Sequence, residues 1–283
     1  MVSKIELKAG ETYTGKITVA NPAAATDDLY YKISLSPYSV SGTNYTPDFQ
    51  TISDWSRIVE WIVARPASGV LKPNETAAIE YTITVPSNAP AGGQYAMIGV
   101  SSNPPLDGNQ GGTVQNVFEM ASLIYANIDG ETKHEGKILK NEIPGFVYDG
   151  KPKTKVAVEN NGNIHESAYT TLSVKNVLTG QELYPTNETE GTMESLIMPE
   201  TTREMLRDLD MISGIGVFEV KQVVSYLGEE SSTSMIMVVC PIWFIVLVAA
   251  TFISICSLIG IGKIRRRKKL LKKSENDEKP VAF

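Results

Sequence analysis

Apolar and polar residues alternate along most of this chain until, near its C-terminal end, the alternation gives way to an unbroken apolar run. Ile79, Tyr81, Ile83 and Val85 fall on one side of an extended backbone and Glu80, Thr82 and Thr84 on the other, which is the period of a half-buried strand. The same period recurs at Tyr13, Ile17, Val19, at Tyr31, Ile33, Leu35, at Val156, Val158 and at Leu172, Val174. Turn-forming pairs such as Asn21-Pro22, Pro73-Asn74 and Asn161-Gly162 punctuate these runs. Short strands broken by turns at this spacing predict antiparallel β-sandwiches. From Ser231 to Gly262 no charged residue occurs, and Trp243 to Val248 are consecutively apolar. The apolar part, Met235 to Ile261, exceeds the roughly 20 residues that cross about 30 Å of hydrocarbon and has no polar face, so it predicts a transmembrane helix.

An internal repeat organises the strands. Ile17-Thr18-Val19-Ala20-Asn21 is answered by Val156-Ala157-Val158-Glu159-Asn160, Leu71-Lys72-Pro73-Asn74-Glu75-Thr76 by Ile197-Met198-Pro199-Glu200-Thr201-Thr202, and Gly93-Gln94-Tyr95 by Gly216-Val217-Phe218. The offsets are 139, 126 and 123, falling in order as they would for a second copy with shorter loops. The predicted fold class is all-β: two immunoglobulin-like β-sandwich domains followed by one transmembrane α-helix. The first domain is placed at 1–130 and the second at 131–232, with the boundary in the turn Asp129 to His134 after a strand-like region Val114 to Ile128. The helix is placed at 233–262 and a basic tail at 263–283.

Charge sets the topology. The net charge is −6, yet the tail from Lys263 carries nine basic and three acidic residues, which leaves −12 for the remainder. Such an acidic body offers no basic stripe for phosphate, which excludes nucleic acid as a partner. Lys263, Arg265, Arg266, Arg267, Lys268 and Lys269 flank the apolar run and assign the tail to the cytoplasm and the sandwiches to the outside of the cell membrane. Each cation near the lipid adds about 1 kcal/mol of attraction to an anionic surface, so membrane lipid is a partner. Met1-Val2-Ser3-Lys4-Ile5 enters strand-like sequence without the features of a signal peptide. Export then implies either a misassigned start or the loss of a leader, with or without a first strand. Both cysteines, Cys240 and Cys256, lie in the apolar run, so each sandwich depends on its own core rather than on disulfides.

In the first copy, Val19-Ala20-Asn21 is followed by Leu71-Lys72-Pro73-Asn74-Glu75-Thr76, an alternating strand, Val85-Pro86 and Ala89-Pro90-Ala91-Gly92-Gly93-Gln94-Tyr95. This order resembles the WxL-interacting protein family of Gram-positive bacterial surface proteins. The resemblance implies two immunoglobulin-like domains, one bound to peptidoglycan and one to host or partner ligands, followed by a transmembrane helix and a short basic tail.

Candidate chemistry is sparse. His134 and His165 sit in no metal or nucleophile pattern and read as surface histidines; no catalytic residue, cofactor or metal site is expected. Asp107 to Gly112 lacks the alternation and the closing Glu of a calcium loop and reads as a hairpin tip. The Asn-x-Thr triplets at Asn44, Asn74 and Asn187 read as chance matches in polar loops. Aromatic residues concentrate between Tyr38 and Trp61, where Trp61 reads as a strand residue packed between sheets. Tyr38, Tyr45 and Trp55 are the candidate ligand or partner contacts. Gly92 and Gly93 read as a turn of positive φ before Tyr95. The function expected is a non-enzymatic, membrane-anchored surface protein that binds cell-wall polymer or a partner surface protein. The alternative is a structural subunit of a membrane complex, its helix packed on another subunit.

Overall fold

A computed structural model describes residues 2–102, 119–184, 192–212 and 214–277. The Asp107–Gly112 segment, the Asn187 triplet and the first part of the Val114–Ile128 region lie outside the described residues.

Ten strands build the first sandwich: β1 (Val2–Leu7), β2 (Thr12–Ala20), β3 (Leu29–Pro37), β4 (Ser39–Ser41), β5 (Thr46–Asp48), β6 (Ile62–Arg65), β7 (Ser68–Leu71), β8 (Thr76–Thr84), β9 (Gly92–Ser102) and β10 (Glu119–Ile128). One sheet has the order β1-β10-β9-β3-β7, the facing one β2-β8-β6, and β4–β5 form a separate hairpin. β1 runs parallel to β10, with Val2 opposite Leu123 and Leu7 opposite Ile128. The inward halves of the alternating runs meet between the sheets, where Leu7, Ile79, Ile83, Ile98, Ile124 and Ile128 are completely or almost completely buried. Trp61 ends a 3₁₀ turn, Arg57–Trp61, rather than lying in a strand, and packs against this core from the turn.

The second sandwich repeats the plan with β11 (Gly136–Glu142), β12 (Phe146–Val147), β13 (Lys153–Asn160), β14 (Glu166–Asn176), β15 (Glu182–Tyr184), β16 (Thr192–Ile197), β17 (Thr201–Asp208), β18 (Gly216–Tyr226) and β19 (Glu229–Val239). Its sheets are β11-β13-β17 and β12-β19-β18-β14-β15, with β16 also on β14. β12 runs parallel to β19 as β1 does to β10. The repeat read in the sequence is a repeat of hydrogen bonds. Asn21 Nδ2 donates to the carbonyls of Asp27 at 2.9 Å and Leu71 at 3.0 Å, and Asn160 Nδ2 to those of Ile164 at 2.8 Å and Ile197 at 3.0 Å. Each asparagine closes its sandwich by satisfying carbonyls that burial would otherwise orphan. The matched turns after Pro73 and Pro199 both hold a left-handed residue, Asn74 at φ 69° and Glu200 at φ 56°.

The helix α1 spans Ile242–Asp277. The most apolar stretch of Ile242–Lys268 has a mean hydropathy of 2.6 with none of it packed inside the protein, and the segment is long and apolar enough to cross a membrane. The helix starts later than hydropathy placed it. Residues 233–239 belong to β19, where Met237 and Val239 are buried in the second core. An apolar strand that runs straight into an apolar helix leaves no polar step for a hydropathy reading to find.

Candidate functional site

Two features stand out: the joint between the sandwiches and an open flank of the first one. The joint gathers the three aromatic candidates. The Tyr95 ring is fully buried, with Trp55 edge-on at 5.8 Å and Tyr125 edge-on at 5.1 Å between centroids, and Tyr38 stacks on Tyr125 at 6.0 Å. Tyr45 reaches the second sandwich. Its hydroxyl accepts the Met198 N–H at 2.7 Å and pairs with the Thr201 hydroxyl, while the Arg203 guanidinium lies 4.7 Å from its ring centre. Backbone bonds reinforce the contact: Gly93 N–H to Asn163 O at 2.8 Å and Glu204 N–H to Thr43 O at 2.8 Å. Of the two glycines read as a positive-φ turn, Gly92 has φ 113° and Gly93 does not, and both open strand β9 rather than a turn. A side chain at Gly92 would collide with the Asn163 carbonyl, so glycine lets the domains touch.

His165 lies in this joint, which corrects its reading as a surface residue. The Tyr95 hydroxyl accepts the His165 backbone N–H at 2.9 Å and stands 2.9 Å from the ring Nδ1. Burial first, and then Lys4, hold the imidazole below its ordinary pKa, which favours the neutral ring in the hydrogen bond between Nδ1 and the Tyr95 hydroxyl. Burial also raises Tyr45, Tyr95 and Tyr125 above the ordinary phenol range, which keeps them neutral hydrogen-bonding groups. His134 is exposed, with Nδ1 2.5 Å from Glu166 Oε1. Among the described residues no group of three His, Cys, Asp or Glu side chains could hold a metal. A cavity of about 210 Å³ remains between Tyr38, Tyr45, Tyr125, Leu196 and Arg203. Tyr38, Tyr45 and Trp55 therefore come together, but as parts of an interdomain contact.

The open flank comes from a difference between the two copies. In the second sandwich β11 pairs with β13 from Glu142 opposite Lys155 to Gly136 opposite Asn160. The repeat offset maps Lys155–Asn160 onto Lys16–Asn21, the end of β2 and the residue after it. Among the described residues no strand lies on that outer edge of β2, whose only partner is β8. Backbone direction follows from the ends of the two strands. Asn21 N–H bonds inward to Glu75 O, so by alternation the N–H groups of Lys16, Thr18 and Ala20 face outward. Asn161 N–H bonds to Glu135 beside β11, so Lys155, Ala157 and Glu159 are their counterparts. Beside the β2 edge lies a groove of about 380 Å³, mostly apolar, whose lining includes Ile17, Val19, Tyr31, Ile98, Val100 and Met120. None of these was a candidate in the sequence; the only signal there was the repeat itself.

No known family model matches the chain, and no curated protein does. Similar solved structures exist. The chain resembles a protein of the chaperone–tip adhesin complex of CFA/I fimbriae at 15% identity over 84% of this chain and 96% of that one, with a TM-score of 0.40. It resembles one from the CsuC–CsuE chaperone–tip adhesion subunit complex of Acinetobacter baumannii at 13% identity, 81% and 94% coverage and a TM-score of 0.40. The E. coli chaperone DraB aligns at 14% identity, 82% and 93% coverage and a TM-score of 0.37. Likeness this remote carries no activity across. The expected resemblance to WxL-interacting proteins is corrected by these findings: the structures matched over most of the chain are fimbrial chaperones, and no family model supports the other assignment. The cell-wall-binding surface function falls with that resemblance.

Proposed function

We propose that this chain is a non-enzymatic polypeptide-binding protein, held at the membrane by its C-terminal helix, that takes an extended polypeptide segment as an added strand on the edge of β2, the position that β11, directly ahead of β12 in the chain, fills in the second sandwich. The observation that carries this reading is β11, which occupies the matching position in the second sandwich. An incoming strand would meet the outward N–H groups of Lys16, Thr18 and Ala20 and lay alternate apolar side chains into the groove, as Ile138 of β11 packs against the second core. Burying two or three such side chains is worth about 1.5–3 kcal/mol each, against an ordering and association cost of at least about 4 kcal/mol, so binding is reversible rather than permanent. The aromatic joint, with Tyr38, Tyr45 and Trp55, fixes the two sandwiches relative to each other. The basic flank from Lys263 to Lys268 supports a cytoplasmic tail with the sandwiches outside.

The test is fluorescence anisotropy of the full chain in detergent with a labelled peptide of the β11 sequence, Gly136–Glu142. Saturable binding that Thr18→Pro abolishes is expected, because proline removes an outward N–H while leaving the β2–β8 ladder intact. Met120→Asp, at the groove's exposed mouth, should weaken binding without unfolding the protein. No saturable binding, or binding unchanged by Thr18→Pro, would remove the edge from consideration.

A further inference from the structure

The second sandwich is not tethered to the helix by a linker; its strands run into it. Val238 N–H bonds to Gly145 O, Cys240 N–H to Val147 O and Ile242 N–H to Tyr148 O, each at 2.9 Å, so the β12–β19 pairing continues to the first helical residue. From Ile242 to Gly262 the helix has about 21 residues, or roughly 31 Å at 1.5 Å per residue, against about 30 Å of hydrocarbon. The whole apolar length is needed to span, which puts Ile242 at the outer hydrocarbon boundary and the end of the sandwich at the level of the headgroups.

That end carries exposed large apolar side chains. Phe146 and Tyr148 flank the helix start, 53% and 56% exposed, with rings stacked at 6.4 Å. The register places the next strands there too. Gly216 lies opposite Val239, so Ile215 is beside the helix start, and Val177 N–H bonds to Val217 O at 2.9 Å, bringing the turn with Val177 and Leu178 to the same end. Leu178 is 77% exposed. The other sheet contributes ion pairs at this end, Lys151 with Asp210 at 2.6 Å and Lys153 with Asp208 at 3.0 Å.

We infer that Phe146, Tyr148, Val177, Leu178 and Ile215 form a rim that dips into the headgroup layer around the helix, docking the second sandwich on the lipid surface. The inference rests on the reading that the helix spans a membrane. Aromatic side chains favour the headgroup level, and the rim is continuous with the helix, so lipid is the occupant that this geometry fits. The sheet with the paired charges remains in water, so the sandwich leans toward its apolar side, and the first sandwich is held at a fixed attitude to the membrane.

The test is nitroxide labelling of the full chain in lipid nanodiscs, in a background with Cys240→Ala and Cys256→Ala. Labels are placed by Leu178→Cys and Phe146→Cys in the rim, Phe252→Cys in the helix and Thr14→Cys in the first sandwich. Collision with a water-soluble nickel chelate and with oxygen is then measured. The rim labels should be several-fold less accessible to the chelate than the Thr14 label, and the Phe252 label the least accessible. Rim labels as accessible as the Thr14 label, with Phe252 protected, would overturn the docking while the anchor stands. An accessible Phe252 label would overturn the anchor itself and the docking with it.

Discussion

The two sandwiches share their asparagine clamp, their left-handed turn and their parallel terminal strand, and differ at one edge. Lys155–Asn160 is covered by β11, whose Asn141 Nδ2 donates to Ser231 O at 2.8 Å and whose Oδ1 accepts from the buried Gln222 amide at 2.8 Å. Lys16–Asn21 has the same strand position with no cover among the described residues. A fold that appears twice in one chain supplies its own reference: what β11 satisfies in one copy marks the position that a strand would fill in the other. β11 directly precedes β12, the counterpart of β1, so a matching strand would stand ahead of β1 in chain order; a strand edge beside an apolar groove takes pairing from such a segment or from another chain.

Matched proline substitutions break this comparison most sharply. Ala157→Pro removes an N–H that faces β11 and should cost about 3 kcal/mol, whereas Thr18→Pro at the matching position should cost less than about 1 kcal/mol, measured by thermal unfolding in detergent. Equal costs would mean that the β2 edge is already paired. The clamps come next. Asn160 also accepts the Gly162 N–H through Oδ1 at 2.8 Å, a bond without a counterpart at Asn21 among the described residues, so Asn160→Ala should cost about 2–4 kcal/mol and Asn21→Ala about 1–3 kcal/mol.

The smallest effect is at the joint, where pH separates contact from core. His165 is held below its ordinary pKa, so the unfolded chain takes up the proton first. Its contribution is complete above the unfolded value of about 6.5 and is lost as pH falls toward the folded value. Tyr95 and Tyr125 face the ring, and Lys4, Glu6 and Glu166 supply the charge around it. Thermal unfolding of the full chain should weaken modestly between pH 7 and pH 5, and His165→Phe should flatten that dependence. A slope unchanged by the substitution would assign it to other groups.

How much of this was legible depended on distance along the chain. Alternation named Ile79, Tyr81, Ile83 and Val85 as one face, and all four are buried. The repeat was legible because Asn21 and Asn160 do the same work in the same local setting. The aromatic cluster was legible as a concentration of rings, yet its meaning was not, because Tyr95 and His165 are 70 residues apart and nothing near His165 announces its partner. Hydropathy misplaced the start of the helix because Met235, Met237 and Val239 are as apolar as the span they precede. The edge position was legible only through the repeat, because it is β11 that marks which side of β2 a further strand would take.

Hydrogen exchange resolved by residue tests the central claim most directly. In the full chain the amides of Lys16, Thr18 and Ala20 should exchange at nearly the unpaired rate, those of Lys155, Ala157 and Glu159 should be protected, and adding the β11 peptide should protect the first set alone. Protection of both sets without peptide, or no gain at β2 when the peptide is present, would contradict the claim that the edge of β2 takes an added strand.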